Sequence, residues 1–153
     1  MDCELRRIEQ QALPAIKPLW EQLNKLHLAD SRYFKEYYKT LLFERRSEKF
    51  KALAEDDVFI EGVFPAGSDR PVGYCISTVD HAVGEIDSLF IEEGYRRHGY
   101  GGMLVDHSVR WLKRKGCTTI RVAVADGHES VFGFYQQFGF YPRLTYLQLK
   151  EKR

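Results

Sequence analysis

One segment of this sequence combines glycines with cations in a way that is typical of anion binding. It spans residues 94–102 and reads Gly-Tyr-Arg-Arg-His-Gly-Tyr-Gly-Gly, between a strand-like run and a helix-like run. Glycine lets the backbone approach a ligand closely, and the unpaired N–H groups at a helix start favour a phosphate or diphosphate. Arg96, Arg97 and His98 add positive charge at the same place. The segment therefore predicts a local site for a phosphate-bearing ligand.

The spacing within this segment excludes two common nucleotide-binding patterns. A P-loop ends in Gly-Lys-Ser or Gly-Lys-Thr, which is absent here, and the dinucleotide GxGxxG pattern fails because Leu104 occupies the position of its third glycine. The pattern that remains is Arg96-x-x-Gly99-x-Gly101, directly after a strand and at the start of a helix. A different class of phosphate-bearing ligand is therefore expected.

Three motifs in this order resemble the GNAT family of acyl-CoA-dependent N-acetyltransferases. The first is the strand at residues 85–91, the second is Arg96-x-x-Gly99-x-Gly101, and the third is Tyr135-Gln136-Gln137-Phe138-Gly139-Phe140, which matches the family's Tyr-x-x-x-Gly-Phe. The resemblance covers the chain from about Val58 onward in its motifs, and the preceding helices agree with it in topology.

The resemblance implies acetyl-CoA as the cosubstrate, with no metal. The backbone N–H groups of residues 97–102 would then hold the CoA diphosphate, and the strand at residues 89–91 would pair with the pantetheine arm. His128 stands where the family often has asparagine, and it could instead be a plain residue at a helix start. The implied cofactor-binding residues are Leu89, Phe90, Ile91, Arg96, Arg97, His98, Gly99, Tyr100, Gly101, Gly102 and His128.

The resemblance also implies catalytic roles for three residues. A primary amine would attack acetyl-CoA directly in a ternary complex, Tyr135 would protonate the leaving thiolate, and Glu85 would be the base, with Asp87 on the same strand face as the lesser candidate. Each role has an alternative. Tyr135 could be one aromatic residue on a Phe-rich helix face, and water could take the proton of the amine. Glu85 and Asp87 could then only form hydrogen bonds with neighbouring polar groups. A non-catalytic CoA or acyl-CoA sensor is the alternative function.

Hydrophobic periodicity predicts the elements that hold these residues. The order is strand, two helices, three antiparallel strands, helix, strand, helix and strand, which is a mixed α/β sheet with helices on both faces in a single domain of residues 1–153. The second helix covers residues 31–42, the last helix residues 129–138 and the last strand residues 144–149. Gly116 is expected to end the helix that follows the glycine-rich segment.

The helices near the N-terminus carry the candidate acceptor site. Tyr33, Phe34, Tyr37 and Tyr38 could line an aromatic cleft for a cationic amine, although such a stripe more often belongs to a core. His27 is expected to be a packed core histidine. The basic run that includes Arg46 and Lys49 alternates with glutamates and predicts a solvated helix face.

Composition excludes several other classes of protein. Lys and Arg number 23 and Asp and Glu 22, so no overall basic field favours nucleic acid or an anionic membrane. Cys3, Cys75 and Cys117 lack disulfide-framework or zinc spacing. The charged N-terminus and the absence of a long apolar run predict a cytoplasmic protein without a membrane span. The expected partner is a small-molecule or peptide amine, and a homodimer is common in the family.

Overall fold

The fold is built on one five-stranded sheet in the order β1-β2-β3-β4-β5. The structure is a computed structural model, and it describes residues 2–151. Strands β1 to β4 pair antiparallel, whereas β5 runs parallel to β4. The strand bounds are β1 Cys3–Arg7, β2 Val58–Pro65, β3 Gly73–Asp80, β4 Val83–Ile91 and β5 Thr119–Val122. This sheet confirms the predicted mixed, mostly antiparallel architecture.

Helices cover both faces of the sheet. Helices α1 (Lys17–Asp30), α2 (Lys35–Thr40) and α3 (Phe43–Lys51) precede β2, while α4 (Tyr100–Arg114) and α5 (Phe132–Gln136) flank β5 along the chain. Short 3₁₀ turns lead into α1 and α5, at Gln10–Ile16 and Glu129–Val131. Within residues 2–151, no helix is long and apolar enough to cross a membrane.

Two apolar clusters hold the layers together. The α4 stripe buries Tyr100, Leu104, Ser108 and Leu112, a strict four-residue repeat that keeps one face of the helix on the sheet. On the opposite face of the sheet, α1 and α3 bury large aromatic side chains against β3 and β4. These are Trp20, Phe43, Phe50, Tyr74 and Phe90.

A β-bulge interrupts β4. Ile76 of β3 lies opposite Ser88, whereas the next residue, Ser77, lies opposite Ile86, so Asp87 is an extra residue with no counterpart. Gly84 and Ile86 face α4 before the bulge, and Leu89 and Ile91 face it afterwards. The bulge thus turns the Asp87 side chain away from α4, toward α3.

The pairing of β4 with β5 stops at the bulge, because β5 ends at Val122. Their parallel ladder ends at the pair Ile86 and Val122, although β4 continues to Ile91. In the described part of the chain, residues 87–91 have no strand partner on the β5 side. Beyond Ile86, the edge of β4 on the β5 side is therefore unpaired, which leaves a gap beside residues 87–91, directly before the glycine-rich segment.

Helix α2 is shorter than predicted. The sequence predicts one helix over residues 31–42, but Leu41 and Leu42 are extended and separate α2 from α3. The Asn24 side-chain amide donates to the Tyr38 carbonyl at 2.9 Å, and Leu41 packs against the core instead of continuing the helix. The predicted helix over residues 129–138 is likewise reduced to α5 behind a 3₁₀ turn.

The predicted last strand is not formed. Residues 144–149 make no ladder with any described strand, and their leucines and tyrosine are largely exposed. Alternation alone does not make a strand, because the backbone also needs a hydrogen-bonding neighbour. The single-domain assignment for residues 1–153 stays a prediction, and residues 1, 152 and 153 lie outside the described range.

Candidate active site

The glycine-rich segment leaves a row of backbone N–H groups without acceptors. Arg97 and Gly99 have left-handed backbone angles (φ 67° and 84°), which turn the chain into the start of α4. The first capping bond runs from the Met103 N–H to the Gly99 carbonyl at 3.1 Å, and no side chain caps the helix. Within residues 2–151, the N–H groups of Arg97, His98, Gly99, Gly101 and Gly102 donate to no acceptor.

Two of the glycines have a packing role. A Cβ atom on Gly101 would lie 3.4 Å from the Phe134 ring, and one on Gly102 would lie 3.1 Å from the Phe138 ring. These positions let α4 approach α5 closely, which fixes the first turn of α4 beside Tyr135. The Tyr100 side chain is buried. Tyr100 therefore contributes only its backbone to the surface of the glycine-rich segment.

Arg96 packs on the end of the sheet. Its Nε atom donates to the Ile91 carbonyl at 2.7 Å, and its guanidinium lies over the Phe90 ring at 5.2 Å from the centroid. Arg97 and His98 are exposed at the tip of the segment. The three predicted basic residues therefore differ: Arg96 shapes the turn, while the other two are free to meet an anion.

Tyr135 is buried in the apolar cluster between α5 and the sheet. Its ring lies 5.1 Å from Phe134 and 5.9 Å from Phe140, and its relative exposure is 9%. Burial, and to a smaller extent nearby Cys75, raises the pKa of Tyr135 above its ordinary value. No hydrogen bond joins the Tyr135 hydroxyl to another described residue, so this protonated donor is available to a ligand.

Asp87 is held by three neighbours on the other face of the sheet. Lys49 Nζ lies 3.1 Å from one carboxylate oxygen, the Thr78 hydroxyl donates to the other, and the Arg46 guanidinium donates to the Asp87 carbonyl at 3.3 Å. The Asp87 side chain is only 1% exposed. These contacts contradict the prediction that the α3 cations only face solvent, and they make Asp87 an organised, inward-facing carboxylate.

Glu85 is the more accessible carboxylate. Its side chain is 28% exposed and one oxygen lies 3.2 Å from Arg121 Nε on β5. Glu85 and Asp87 both line a cavity of about 690 Å³ between α3 and the turn from β3 to β4. Lys49, Thr78, Asp80 and Arg121 line the same cavity. The two carboxylates that were predicted as candidate bases therefore line the same cavity.

The predicted proton donor, Tyr135, and the two carboxylates lie on opposite faces of the sheet. Tyr135 belongs to the cluster on the α4 side, together with Leu89 and Ile91. Glu85 and Asp87 belong to the cavity on the α3 side. Because the edge of β4 beyond Ile86 is unpaired on the β5 side, a group lying in this gap would have access to both faces.

His128 is joined to the end of α1. Its Nε2 atom lies 3.0 Å from Asp30 Oδ2, and its ring is 4.6 Å from the His27 ring. Arg32 forms ion pairs with Asp126 and Glu129 of the same connection. These contacts attach the end of α1 to the segment that leads into α5 and Tyr135.

His27 is half-buried and should make the fold sensitive to acid. Burial, and then neighbouring His128, lowers the pKa of His27 to about 4, although Asp30 opposes this shift. An unfolded histidine titrates near about 6.5, so the unfolded chain takes up this proton first, and folding stability is lost as pH falls from about 6.5 to 4.

Between about pH 6.5 and 4, the free energy of unfolding should therefore fall less steeply in His27→Gln than in the wild type. Unfolding of this variant should take up fewer protons over the same range, by up to about one. Urea denaturation at a series of pH values measures this change. His81→Gln, at a histidine whose side chain is 97% exposed, is the control. An unchanged slope in His27→Gln would show that His27 does not carry the acid sensitivity.

The aromatic stripe near the N-terminus is on the surface. Tyr33 and Tyr37 are 59% and 55% exposed, so the core alternative is wrong for these two residues. Tyr38 is half-buried, and burial followed by nearby Tyr37 and Tyr146 raises its pKa. The stripe reaches His27, whose ring is 5.3 Å from that of Tyr38. An exposed aromatic surface thus adjoins the neighbouring rings of His27 and His128.

Sequence reasoning missed the partners of the predicted site residues. Lys49 and Asp87 are 38 residues apart, Arg121 and Glu85 are 36 apart, and Arg32 and Asp126 are 94 apart. No local spacing signals such pairs. Only the bulge that turns Asp87 toward α3, and the pairing of β4 with β5, bring these charges together.

Comparisons with known proteins agree with this geometry. The peptidyl-lysine N-acetyltransferase YjaB of Salmonella typhimurium is 36% identical over 72 residues, which are 47% of this chain and 43% of that protein. The uncharacterized N-acetyltransferase MJ1207 of Methanocaldococcus jannaschii is 25% identical over 113 residues, which are 69% of this chain and 49% of that protein. This chain thus matches about half the length of these curated relatives.

A solved structure and a family model also match this chain. PaiA N-acetyltransferase from Thermoplasma acidophilum, solved in complex with coenzyme A, superposes with a TM-score of 0.73 at 20% identity, covering 95% of this chain and 93% of that chain. The sequence model of the acetyltransferase (GNAT) family matches residues 20–140. Since that match covers well over half of the chain, and its motifs lie in the predicted order around the gap between β4 and β5, this chain belongs to the GNAT family of acetyltransferases.

Proposed function

We propose that this chain is an acetyl-CoA-dependent N-acetyltransferase that acts on a primary amine. The observation that carries the proposal is the gap between β4 and β5, which opens beside the uncapped start of α4. An extended pantetheine arm can pair with the free edge of residues 87–91, while N–H groups at the start of α4 bind the diphosphate. Family membership and a neighbour bound to coenzyme A support the same cosubstrate.

The chain's own groups fit this ligand. The N–H groups of Arg97, His98, Gly99, Gly101 and Gly102 donate to no described acceptor, and each could bind a phosphate oxygen. Arg97 supplies positive charge at the exposed tip. A backbone N–H of residues 89–91 facing the gap would donate to the thioester oxygen, where negative charge develops during attack. His128, held by Asp30, is a further candidate contact for the cosubstrate.

The reaction needs one proton removed and one supplied. The amine nitrogen forms a bond to the acetyl carbon, the carbon–sulfur bond breaks, and a carboxylate takes the ammonium or amine proton. Glu85 suits this role better than Asp87, because both oxygens of Asp87 already have partners. Tyr135 donates to the departing sulfur. Because burial keeps Tyr135 protonated, its hydroxyl is a donor throughout the neutral pH range.

The acceptor approaches from the α3 side. GNAT acetyltransferases act on small-molecule or peptide amines, and the cavity beside Glu85 opens to solvent between α3 and the turn from β3 to β4. The similarity to a peptidyl-lysine N-acetyltransferase makes a lysine side chain one candidate acceptor. Free amines, including polyamines and arylalkylamines, are the other candidates.

Calorimetric titration tests the cosubstrate directly. We expect acetyl-CoA to bind at one site per chain, and ATP and NAD not to bind. Turnover is then measured by thiol release with a panel of amines that includes a lysine peptide. Failure of both CoA and acetyl-CoA to bind would overturn the proposal, whereas binding without turnover on any amine would support the sensor alternative.

Replacement of Glu85 with glutamine should lower kcat at neutral pH by about 10²-fold, because the variant has no base at this position. The measurement is kcat with the best amine of the panel. Asp80→Asn removes a carboxylate from the same cavity but should leave kcat unchanged, since Asp80 faces solvent beside His81. If Glu85→Gln keeps the wild-type kcat, water or Asp87 takes the proton instead.

One observation favours a non-catalytic CoA sensor. Glu85 and Asp87 are both paired with cations, so neither is an isolated base. The two functions differ in a single measurement: an enzyme consumes acetyl-CoA faster than the uncatalysed reaction with at least one amine, and a sensor does not. The free, protonated hydroxyl of Tyr135 supports the enzyme.

A further inference from the structure

A second cavity adjoins the one beside Glu85. It lies between α2 and α3, has a volume of about 330 Å³, and shares the lining residue Lys49 with the larger cavity of about 690 Å³. The two are called the arginine cavity and the Glu85 cavity. The arginine cavity is lined by Tyr37, Thr40, Leu41, Arg45, Arg46 and Lys49. A ligand bound beside Glu85 can therefore extend past Lys49 into the arginine cavity.

The two cavities differ in charge. Four carboxylates line the Glu85 cavity, against two permanent cations, Lys49 and Arg121. The carboxylates are those of Asp57, Asp80, Glu85 and Asp87. The described residues that line the arginine cavity include three cations and no carboxylate. The Glu85 cavity therefore favours an ammonium group, and the arginine cavity favours an anion.

Arg45 and Arg46 are not neutralised by the fold. Within residues 2–151, no ion pair joins either guanidinium to a carboxylate. Arg46 donates to the Asp87 carbonyl at 3.3 Å and lies 5.0 Å from the centroid of the Phe50 ring, contacts that hold its position without cancelling its charge. Arg45 is exposed. Both guanidiniums can therefore meet an anion, and their planar N–H groups suit the oxygens of a carboxylate or a phosphate.

The placement of these charges disfavours the helix that carries them. Arg45 and Lys49 are four residues apart on α3, so two like charges share one helix face and repel each other. Glu48 is three residues after Arg45, but the two side chains form no ion pair. No side chain caps the start of α3, where the helix dipole adds positive potential. Cations that the fold groups together in this way indicate a ligand of opposite charge.

We propose that the amine acceptor also carries an anionic group, a carboxylate or a phosphate, which Arg45 and Arg46 bind in the arginine cavity while the amine lies beside Glu85. This inference rests on the proposed function, because it takes Glu85 as the group that meets the amine. Arg46 reaches the backbone of Asp87, and the two residues of strand from Asp87 to Glu85 span roughly 7 Å. An acceptor whose amine and anion are several bonds apart fits both cavities, whereas a polyamine leaves the two guanidiniums without an anion.

Matched acceptors test this proposal on the full chain. The compounds ε-aminocaproate and ε-aminocaproamide have the same length and shape, and they differ in the charge of one end group. We expect kcat/KM to be at least about tenfold higher for the carboxylate, because charge-assisted hydrogen bonds to arginine are stronger than those to a neutral amide. Free glycine should be a poor acceptor, because its amine and carboxylate are too close together to reach both cavities. Aminohexyl phosphate and aminohexanol give the same comparison for a phosphate.

Two variants connect this preference to the arginines. Arg45→Gln and Arg46→Gln should each reduce the ratio of kcat/KM between the carboxylate and its amide at least about fivefold. The ratio is the readout because a general loss of catalysis cancels in it, including any effect of Arg46→Gln on Asp87. Lys51→Gln is the matched control, since it removes a cation from the same helix but lines neither cavity. Its ratio should equal that of the wild type.

Calorimetric titration of the same compounds gives a readout that needs no turnover. The wild type should bind the carboxylate more tightly than the amide, and Arg45→Gln should lose most of this difference. Equal values within both pairs of compounds would overturn the proposal, as would a preference that both arginine variants retain. A preference within only one pair identifies the anion. If no amine is acetylated, the proposed function fails, and the binding comparison still decides whether the arginine cavity holds an anion.

Discussion

Replacement of Tyr135 with phenylalanine should lower kcat roughly 10²–10⁴-fold while the Kd for acetyl-CoA remains nearly unchanged. The substitution removes one oxygen atom from a buried ring, so the apolar contacts with Phe134 and Phe140 are preserved. Only the donor to the departing sulfur is lost. Steady-state kinetics with saturating amine, together with calorimetric titration of acetyl-CoA, measure the two effects separately.

Stability provides an independent readout for the same variant. No described residue forms a hydrogen bond with the Tyr135 hydroxyl, so its removal should leave the free energy of unfolding nearly unchanged. Tyr74→Phe is the control: Tyr74 is fully buried, and its hydroxyl lies 2.7 Å from the Ser88 hydroxyl. That variant should lose about 1 kcal/mol of stability and keep its kcat.

The pH dependence of kcat gives a further constraint on Tyr135. Burial raises the pKa of this residue above that of an ordinary tyrosine, which is about 10. The donor therefore stays protonated, and we expect no loss of kcat from its ionisation below about pH 10. Wild-type kcat in Tyr135→Phe would exclude this residue from proton donation.

Replacement of Gly99 with valine should raise the Kd for acetyl-CoA at least about tenfold, equivalent to ~1.4 kcal/mol of binding free energy. Gly99 has φ of 84°, a conformation that is strained for residues with a Cβ and most of all for β-branched ones. Relief of that strain would turn the N–H groups of the first α4 turn away from their common direction. Calorimetric titration measures the effect.

Gly116→Val is the matched control for this prediction. Gly116 also has φ of 84° and open space around its Cβ position, but it follows the opposite end of α4. Both variants should lose a similar amount of stability, about 1–2 kcal/mol, and only Gly99→Val should lose affinity. Equal Kd values in the two variants would show that the start of α4 does not bind the cosubstrate.

The local patterns in the sequence were sufficient to predict the turn and the helix start at which the candidate site lies. Arg96, Gly99 and Gly101 define the turn and the open helix start, and Tyr135 lies on the helix that packs against that start. Such features depend on residues within one or two turns of each other. Their backbone angles and periodicity are therefore readable without any long-range contact, as is the order of the strands and helices.

The roles of the carboxylates depended on contacts that no spacing encodes. Glu85 and Asp87 look equivalent in the sequence, but a bulge in β4 turns Asp87 onto Lys49 and Thr78, whereas Glu85 meets Arg121 and keeps more exposure. Burial and partners decide which carboxylate can accept a proton. Both are properties of the assembled sheet.

Residues 141–149 show most clearly the difference between what a local pattern predicts and what long-range contacts decide. Its alternation predicts a strand, and the residues have the required types, yet no described neighbour supplies the backbone hydrogen bonds. The amino-acid sequence by itself determined the family and the glycine-rich turn at the start of α4, because each is a short-range pattern. Phosphate binding at that turn and proton donation by Tyr135 stay predictions. The tertiary structure decided which carboxylate is more exposed, which cations contact the carboxylates and which strand edges stay open, because those outcomes depend on contacts between residues far apart in the chain.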